Sequence, residues 1–259
     1  MRFKISLSID KAAHGNALPF NYQYEISAFI YHTLAKGDAV YAQWLHQNGF
    51  ETDGKKFRLF IFSPLSIDKI SIDKTNNRLL LLSDRAELLI SFLTERSTEE
   101  FVKGIFAEQL FTLGDRQSKV QFKVQGIEML PPPRFDGVLT GNLLSPLCLS
   151  RKNEEGKLHY FSAADPDAGR AIFNNLTNKY EAFYGKPFEG NNDFDWQTLD
   201  EPRTKLITIK AGTPQKTRIR ASLCRFRLKA DNELLRIGYE AGLGEKGSLG
   251  FGFLYPEGF

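Results

Sequence analysis

The sequence predicts an α+β protein of two tandem ferredoxin-like (RRM-like) domains, residues 1–130 and 131–259, the second carrying a carboxy-terminal glycine-rich loop. Three observations predict it. Strand-period and helix-period stretches alternate in two passes of similar length. The stiff run Pro131-Pro132-Pro133 falls between the passes, and a chain of 259 residues is long enough to bury two cores. A single larger α+β sheet is the competing arrangement; the restart of the pattern after the prolines favours two domains.

In the first pass, Phe3, Ile5, Leu7 and Ile9 alternate with Lys4, Ser6 and Ser8, the period-two pattern of a half-buried strand over 2–9. A turn-rich stretch follows. Tyr24, Phe29, Ile30 and Leu34 then mark an amphipathic helix over 22–36, and a shorter helix over 38–47 starts at once, with Asp38 as its N-cap and Gly49 near its end. Strands are predicted at 56–63, 78–82 and 88–93. Ser97 and Glu100 have capping-box spacing at the head of a helix ending near Gly114, and 119–129 supplies another strand.

In the second pass, 138–150 reads as a strand, 166–184 as a helix, and 206–210, 216–229 and 234–239 as strands. Over 216–229 the apolar positions change parity: Ile219, Ala221 and Leu223 are odd, Phe226 and Leu228 even. A β-bulge near Leu223-Cys224 would keep Arg218, Arg220, Arg225, Arg227 and Lys229 on one face, as a cationic ladder against which a phosphate backbone could lie.

Composition narrows the function classes. Hydrophobic residues are 42% and charged residues 25%, ordinary for a soluble globular protein. No apolar run is long enough to span a bilayer, and Met1-Arg2-Phe3-Lys4 lacks the layout of a signal peptide, so a cytoplasmic location and no membrane partner are expected. Cys148 and Cys224 lack metal-ligand spacing and read as buried free thiols. Asp193 with Asp195, and Glu99 with Glu100, come without a ligand-spaced His or a third acid, so no metal site and no cofactor are expected.

The net charge of +3 conceals an asymmetry. Nine of the 34 basic residues (Arg203, Lys205, Lys210, Lys216, Arg218, Arg220, Arg225, Arg227 and Lys229) lie between Pro202 and Ala230 with no acid among them, leaving 25 basic against 31 acidic residues elsewhere. A basic segment on an otherwise acidic chain is the footprint of a polyanion partner.

Near the end, Gly242, Gly244, Gly250 and Gly252 form two pairs in the pattern G-h-G-x5-G-h-G. So many glycines in one stretch describe a shaped backbone. Gly242, Gly244 and Gly247 also satisfy G-x-G-x-x-G, but too little chain follows for the helix and strand of a dinucleotide fold. A P-loop needs Gly-Lys-Ser/Thr in that order, and Lys246 precedes Gly247 and Ser248.

The glycine pattern resembles the carboxy-terminal loop of the CRISPR-associated endoribonucleases that process repeat RNA (Cas-six type, RAMP superfamily). Leu18-Pro19-Phe20-Asn21-Tyr22, Ile30-Tyr31, Trp44-Leu45-His46, the segment K-F-R-L-F-I-F-S over 56–63 and Leu144-Ser145-Pro146 look like landmarks of that family in family order. The resemblance implies RNA bound across tandem ferredoxin-like domains, and metal-independent cleavage of precursor CRISPR RNA within repeats that leaves a 5′-hydroxyl and a 2′,3′-cyclic phosphate. It implies His46 as the catalytic histidine and Tyr31 as a residue that orients or protonates at the scissile phosphate. A third, lysine role falls on Lys56, with Lys55 and Arg58 as alternates; alignment on L-F-I-F-S favours Arg58, which would keep charge but give up a proton donor.

The RNA contacts expected are Arg218, Arg220, Arg225, Arg227, Lys229, Lys246 and the backbone at Gly242, Gly244, Gly250 and Gly252. The partner implied is CRISPR repeat RNA, with effector-complex subunits and a second copy of the chain as further candidates. Histidine suits the proton transfers because its ordinary ionisation lies near neutrality. His32 neighbours Tyr31 but points elsewhere on a helix, and His14 and His159 lie in loop regions. The rival function is a non-catalytic RAMP-type RNA-binding subunit of a CRISPR effector complex, which has no need of His46 and Tyr31. A third, an RRM-like module for cellular RNA, requires Phe60, Phe62, Phe226 and Tyr239 to stand exposed on central strands.

Overall fold

The computed structural model describes residues 1–209 and 215–258, so Lys210 lies outside the described residues. Contacts group the chain into two compact units, Met1–Gln47 with Ser63–Pro131, and Asn48–Phe62 with Pro132–Phe259. The segment 48–62, which holds Lys55, Lys56 and Arg58, thus packs with the carboxy-terminal half, whereas the expected single cut lay between 130 and 131.

The first unit is centred on the strand Arg2–Asp10, which pairs antiparallel with Arg85–Phe92 on one side and Lys119–Leu130 on the other; Leu110–Gly114 extends the sheet beyond the latter. Alternation puts Ile5 and Leu7 into the core with Leu88, Ile90 and Phe122, all nearly inaccessible to solvent. The helices Gln23–Gly37 and Glu95–Ala107 add Ile26, Ile30 and Phe101 to it. Full burial of each such side chain stabilises the fold by roughly 1.5–3 kcal/mol before the entropy of ordering is counted.

The helix expected to begin at Ser97 begins at Glu95, because Thr94 is the cap and its hydroxyl accepts the Ser97 amide at 3.2 Å. It ends at Ala107, and 110–114 is strand, paired with Lys119–Lys123 in a hairpin instead of continuing the helix.

The second unit has a 4-stranded antiparallel sheet in the order Asp195–Thr198, Arg225–Lys229, Val138–Leu143, Leu254–Pro256. The helix Ala168–Tyr184 follows the first of these strands in the chain and Asn232–Ala241 follows the third, so the connectivity is βαββαβ, the ferredoxin-like order. Residues 234–239, expected as a strand, are helical. Asp231 caps that helix by accepting the Glu233 amide at 2.9 Å, and Leu234, Leu235, Ile237 and Ala241 bury one side of it.

The expected strand over 216–229 is two strands in two sheets. Thr217–Leu223 pairs with Arg203–Ile209 in a hairpin, whereas Arg225–Lys229 lies inside the main sheet. The parity change at Cys224 is therefore a corner where the chain leaves one sheet for another, and no bulge gathers the five cations on one face. The strand expected over 56–63 is likewise interrupted: Lys55–Phe57 pairs with Phe50–Thr52, and Leu59 takes a positive φ of 53° before Phe60–Phe62. The expected strand over 138–150 ends at Leu143, and Ser150–Lys152 pairs separately with Leu158–Tyr160. Among the described residues no helix is long and apolar enough to cross a membrane.

Candidate functional site

Tyr31 and His46 come together within the first unit. Tyr31 sits in the helix Gln23–Gly37 and His46 in the last turn of Ala39–Gln47, their rings edge-on with centroids 4.9 Å apart. The second helix is short but firmly held. Asp38 terminates the first helix and its Oδ1 accepts the Tyr41 amide at 2.9 Å, so one residue makes the corner. The Tyr41 amide and the Arg96 guanidinium hold the Asp38 carboxyl below the usual carboxylate range.

The inner face of this short helix carries Tyr41, Ala42 and Leu45, all buried. The Tyr41 hydroxyl is 2.6 Å from Ser97 Oγ, Trp44 stacks on its ring at 5.7 Å, and Arg96 lies over that ring at 4.4 Å. With that face fixed, the outer face presents His46 to solvent beside half-buried Tyr31. An exposed imidazole and a phenol in contact can each hand or take a proton at a common substrate atom. His32 instead turns toward Glu108, 3.4 Å from its Oε2, where Lys36 also pairs at 3.0 Å.

The candidates for the third role occupy the segment 48–62 of the second unit. Lys55 and Lys56 lie on the exposed strand of its hairpin, Lys56 Nζ 4.0 Å from Glu51. Arg58 donates to the Asn48 carbonyl at 3.3 Å, a tether that fixes the turn around Gly49.

The glycine-rich segment is an internal structure of the second unit. Gly242, Gly244, Gly250 and Gly252 are buried and have φ of 81°, 67°, 78° and 82°. At Gly244 a Cβ would stand 2.6 Å from the Cys148 carbonyl oxygen, and at Gly252 it would overlap the Leu243 carbonyl. Both need glycine for φ and for space. The pairs interlock: the Leu243 amide donates to Gly252 at 2.9 Å, the Gly252 amide to Pro146 at 2.9 Å, and the Glu245 amide to Cys148 at 2.9 Å. Leu243, Phe251 and Phe253 are inaccessible to solvent. Only the tip, 245–249, reaches the surface, with Lys246 at a φ of 62° heading the single turn Gly247–Leu249.

A residue that the sequence reading passed over holds this turn from inside. Lys179 continues the buried stripe Ile172, Leu176 on the helix Ala168–Tyr184, and its Nζ donates to the carbonyls of Gly242, Gly244 and Ala241 at 2.6, 3.1 and 3.3 Å. Burial pushes its ammonium down from 10.5 to about 7, opposed by the Glu245 carboxylate. A lysine in register with an apolar helix stripe was the available signal. Cys148 and Cys224 are free and buried, and burial pushes both thiols up to about 12.

The basic residues divide into two groups. Arg218 and Arg220 are exposed on the hairpin face opposite the one that buries Ile207, Ile219 and Ala221 against Cys148 and Phe251. Arg225, Arg227 and Lys229 each face a carboxylate: Glu257 at 2.7 Å, Asp195 at 3.8 Å and Asp193 at 2.5 Å. Asp193 and Asp195 are thus partners of the basic strand, and among the described residues no three His, Cys, Asp or Glu group as a metal site. Phe60, Phe62, Phe226 and Tyr239 are all buried, so they cannot be the stacking platforms that a cellular RRM-like module requires.

Two ferredoxin-like units, an exposed histidine against a half-buried tyrosine and a glycine-shaped turn define a protein of the CRISPR-associated RAMP class. Residues 17–128 match the model for "CRISPR-associated protein Cas6, N-terminal" and 130–255 that for "CRISPR associated protein Cas6, C-terminal". The chain belongs to the Cas6 family.

Its relatives include the CRISPR-associated endoribonuclease Cas6 1 of Methanocaldococcus jannaschii, 30% identical over 98% of this chain and 92% of the relative. The CRISPR-associated endoribonuclease Cas6 of Pyrococcus furiosus is 28% identical over 100% of this chain and 90% of its own. Among solved structures, the product of a Cas6-related gene from Pyrococcus furiosus superposes with a TM-score of 0.82 at 26% identity, covering 100% of this chain and 98% of the other. A RAMP protein described as binding different RNA substrates gives 0.80 at 25% identity, covering 99% of each chain.

Proposed function

We propose that this chain is an endoribonuclease that cuts precursor CRISPR RNA within its repeats. An internal ribose 2′-hydroxyl loses its proton and attacks the adjacent phosphorus; the bond from phosphorus to the 5′-oxygen breaks, and that oxygen takes a proton. The products are a 2′,3′-cyclic phosphate and a 5′-hydroxyl. The observation that supports this most is the Tyr31–His46 pair, two groups able to exchange protons, the imidazole exposed on a clamped helix and its ring in contact with half-buried Tyr31 of the helix before it. His46 serves as general acid or base and Tyr31 orients or protonates at the scissile phosphate. Lys56, with Lys55 and Arg58 as alternates, supplies the positive charge for the transition state.

RNA is held by Arg218 and Arg220 on the hairpin and by Lys246 at the tip of the glycine turn, with smaller contributions from Arg225, Arg227 and Lys229. The protein works in the cytoplasm, with effector-complex subunits as candidate partners beside the repeat RNA. The test is to incubate purified protein with RNA carrying its cognate repeat in excess EDTA and analyse the ends. Cleavage at one position with 2′,3′-cyclic phosphate and 5′-hydroxyl ends is expected; 3′-hydroxyl and 5′-phosphate ends, or loss of cleavage in EDTA, would refute the mechanism.

A further inference from the structure

A buried amine that meets three main-chain carbonyls is an unusual way to fill space. The stripe on the helix Ala168–Tyr184 runs Ala168, Ile172, Leu176, Lys179, and the first three are apolar. An apolar side chain at 179 would extend the core, but it would leave the carbonyls of Ala241, Gly242 and Gly244 without the donor that now reaches them. These carbonyls converge because Gly242 and Gly244 take positive φ, which turns successive peptide units toward the same point. An ammonium has three N–H donors, and three acceptors surround it.

The two ends of the turn are anchored independently. Glu245 accepts from the Ser150 amide at 3.1 Å and from the Ser150 hydroxyl at 2.7 and 2.9 Å, while the Leu243 amide closes on Gly252. The lysine therefore sets the curvature between these anchors, and Lys246 is the first side chain beyond them.

We propose that Lys179 is a positioning residue for RNA binding: from inside the second unit it fixes the path of residues 241–244, and so sets where the tip at 245–249 presents Lys246 to an RNA phosphate. This rests on the reading of that tip as an RNA contact. Lys179 touches no RNA itself, so its effect is exerted wholly through the backbone of the turn.

The experiment measures, for the parent, Lys179→Met, Lys246→Ala and the double variant, the affinity for a non-cleavable 2′-deoxy repeat RNA, the single-turnover cleavage rate of the all-ribose repeat RNA at saturating protein, and the thermal midpoint. Loss of a charge-assisted set of bonds predicts affinity weakened by about tenfold or more in Lys179→Met. The single-turnover rate should fall far less than the affinity. Lys246→Ala should weaken binding in the parent and add little in the Lys179→Met background, because both act through one contact.

Should Lys246→Ala weaken binding while Lys179→Met leaves affinity intact, or should the two effects simply multiply, the inference falls and the RNA reading of the tip survives. Should Lys246→Ala itself be without effect on affinity, the RNA reading of the tip falls and takes the inference with it. If Lys179→Met does not fold, Lys179→Arg serves instead, since a planar guanidinium keeps the charge but cannot point at all three carbonyls. Amide exchange at Leu243 and Glu245 should then accelerate and affinity drop; faster exchange with unchanged affinity, or exchange and affinity both unchanged, would overturn the proposal.

Discussion

His46, on the outer face of a short helix whose inner face is locked by Tyr41, Leu45 and Arg96, carries side-chain chemistry together with Tyr31 of the preceding helix. The glycine turn is made the other way: its glycines are buried, its shape comes from main-chain bonds, and one buried lysine holds it from within. The difference teaches where each kind of perturbation should register. Truncating an exposed ring on a fixed helix removes a proton carrier and little packing. Adding atoms to a buried, positive-φ glycine breaks packing first and function through it.

The sharpest break of that comparison is His46→Ala. Loss of a general acid or base should lower the single-turnover rate by on the order of a hundredfold or more. Repeat-RNA affinity and thermal midpoint should stay near the parent's. A comparable loss of stability would mean that the ring is packing, not chemistry.

Gly252→Val is its counterpart. Forbidden φ and overlap with the Leu243 carbonyl should lower stability by on the order of 3 kcal/mol, read as a fall of the urea midpoint. An unchanged midpoint would show that the turn adapts easily and that its glycines are not there for packing.

A milder effect separates the two sets of cations. Replacing Arg218 and Arg220 by Ala should reduce the slope of log affinity against log salt by about 0.7 per lost phosphate contact on single-stranded RNA. The same change at Arg225 and Arg227 should do less, because those side chains are already engaged with Glu257 and Asp195. Equal slopes for the two pairs would put the RNA surface elsewhere.

The smallest effect is a pH dependence. The Lys179 ammonium falls from 10.5 to about 7 in the folded protein, so the unfolded chain binds more protons between those values. The cost of the buried charge is full below pH 7 and relieved as pH rises toward 10.5, so the parent should gain stability relative to Lys179→Met over that window. Thermal midpoints of both proteins at pH 6 and 9 check this, about one unit below and two above the folded value. A parent that loses stability relative to Lys179→Met as pH rises would contradict the burial of this charge.

Much of this was legible in residue periodicity. The strict alternation from Phe3 to Ile9 marks a central strand, and Asp38 marks the corner that sets His46 beside Tyr31, because a capping carboxylate acts within a few residues of itself. What escaped depends on partners distant in sequence. Leu234, Leu235, Ile237 and Tyr239 make an apolar run as compatible with a strand as with a buried helix, and only Asp231 ahead of them signalled the helix. The positive φ of Leu59, which breaks the expected strand, has no local signature. The parity change at Cys224 was readable, but its cause was not: a change of sheet and a bulge shift parity alike. The acids opposite Arg227 and Lys229 come from a neighbouring strand and the loop before it, so a cationic ladder counted along one strand overstated the unpaired charge.

The claim that the 2′-hydroxyl is the nucleophile and His46 a proton carrier is tested most directly by single-turnover cleavage of two repeat RNAs, identical except for a deoxyribose at the nucleotide 5′ to the cut. The deoxy RNA should bind the parent with nearly unchanged affinity and remain uncut, while the all-ribose RNA is cut by the parent and only very slowly by His46→Ala. Cleavage of the deoxy RNA at the parent rate would contradict the account.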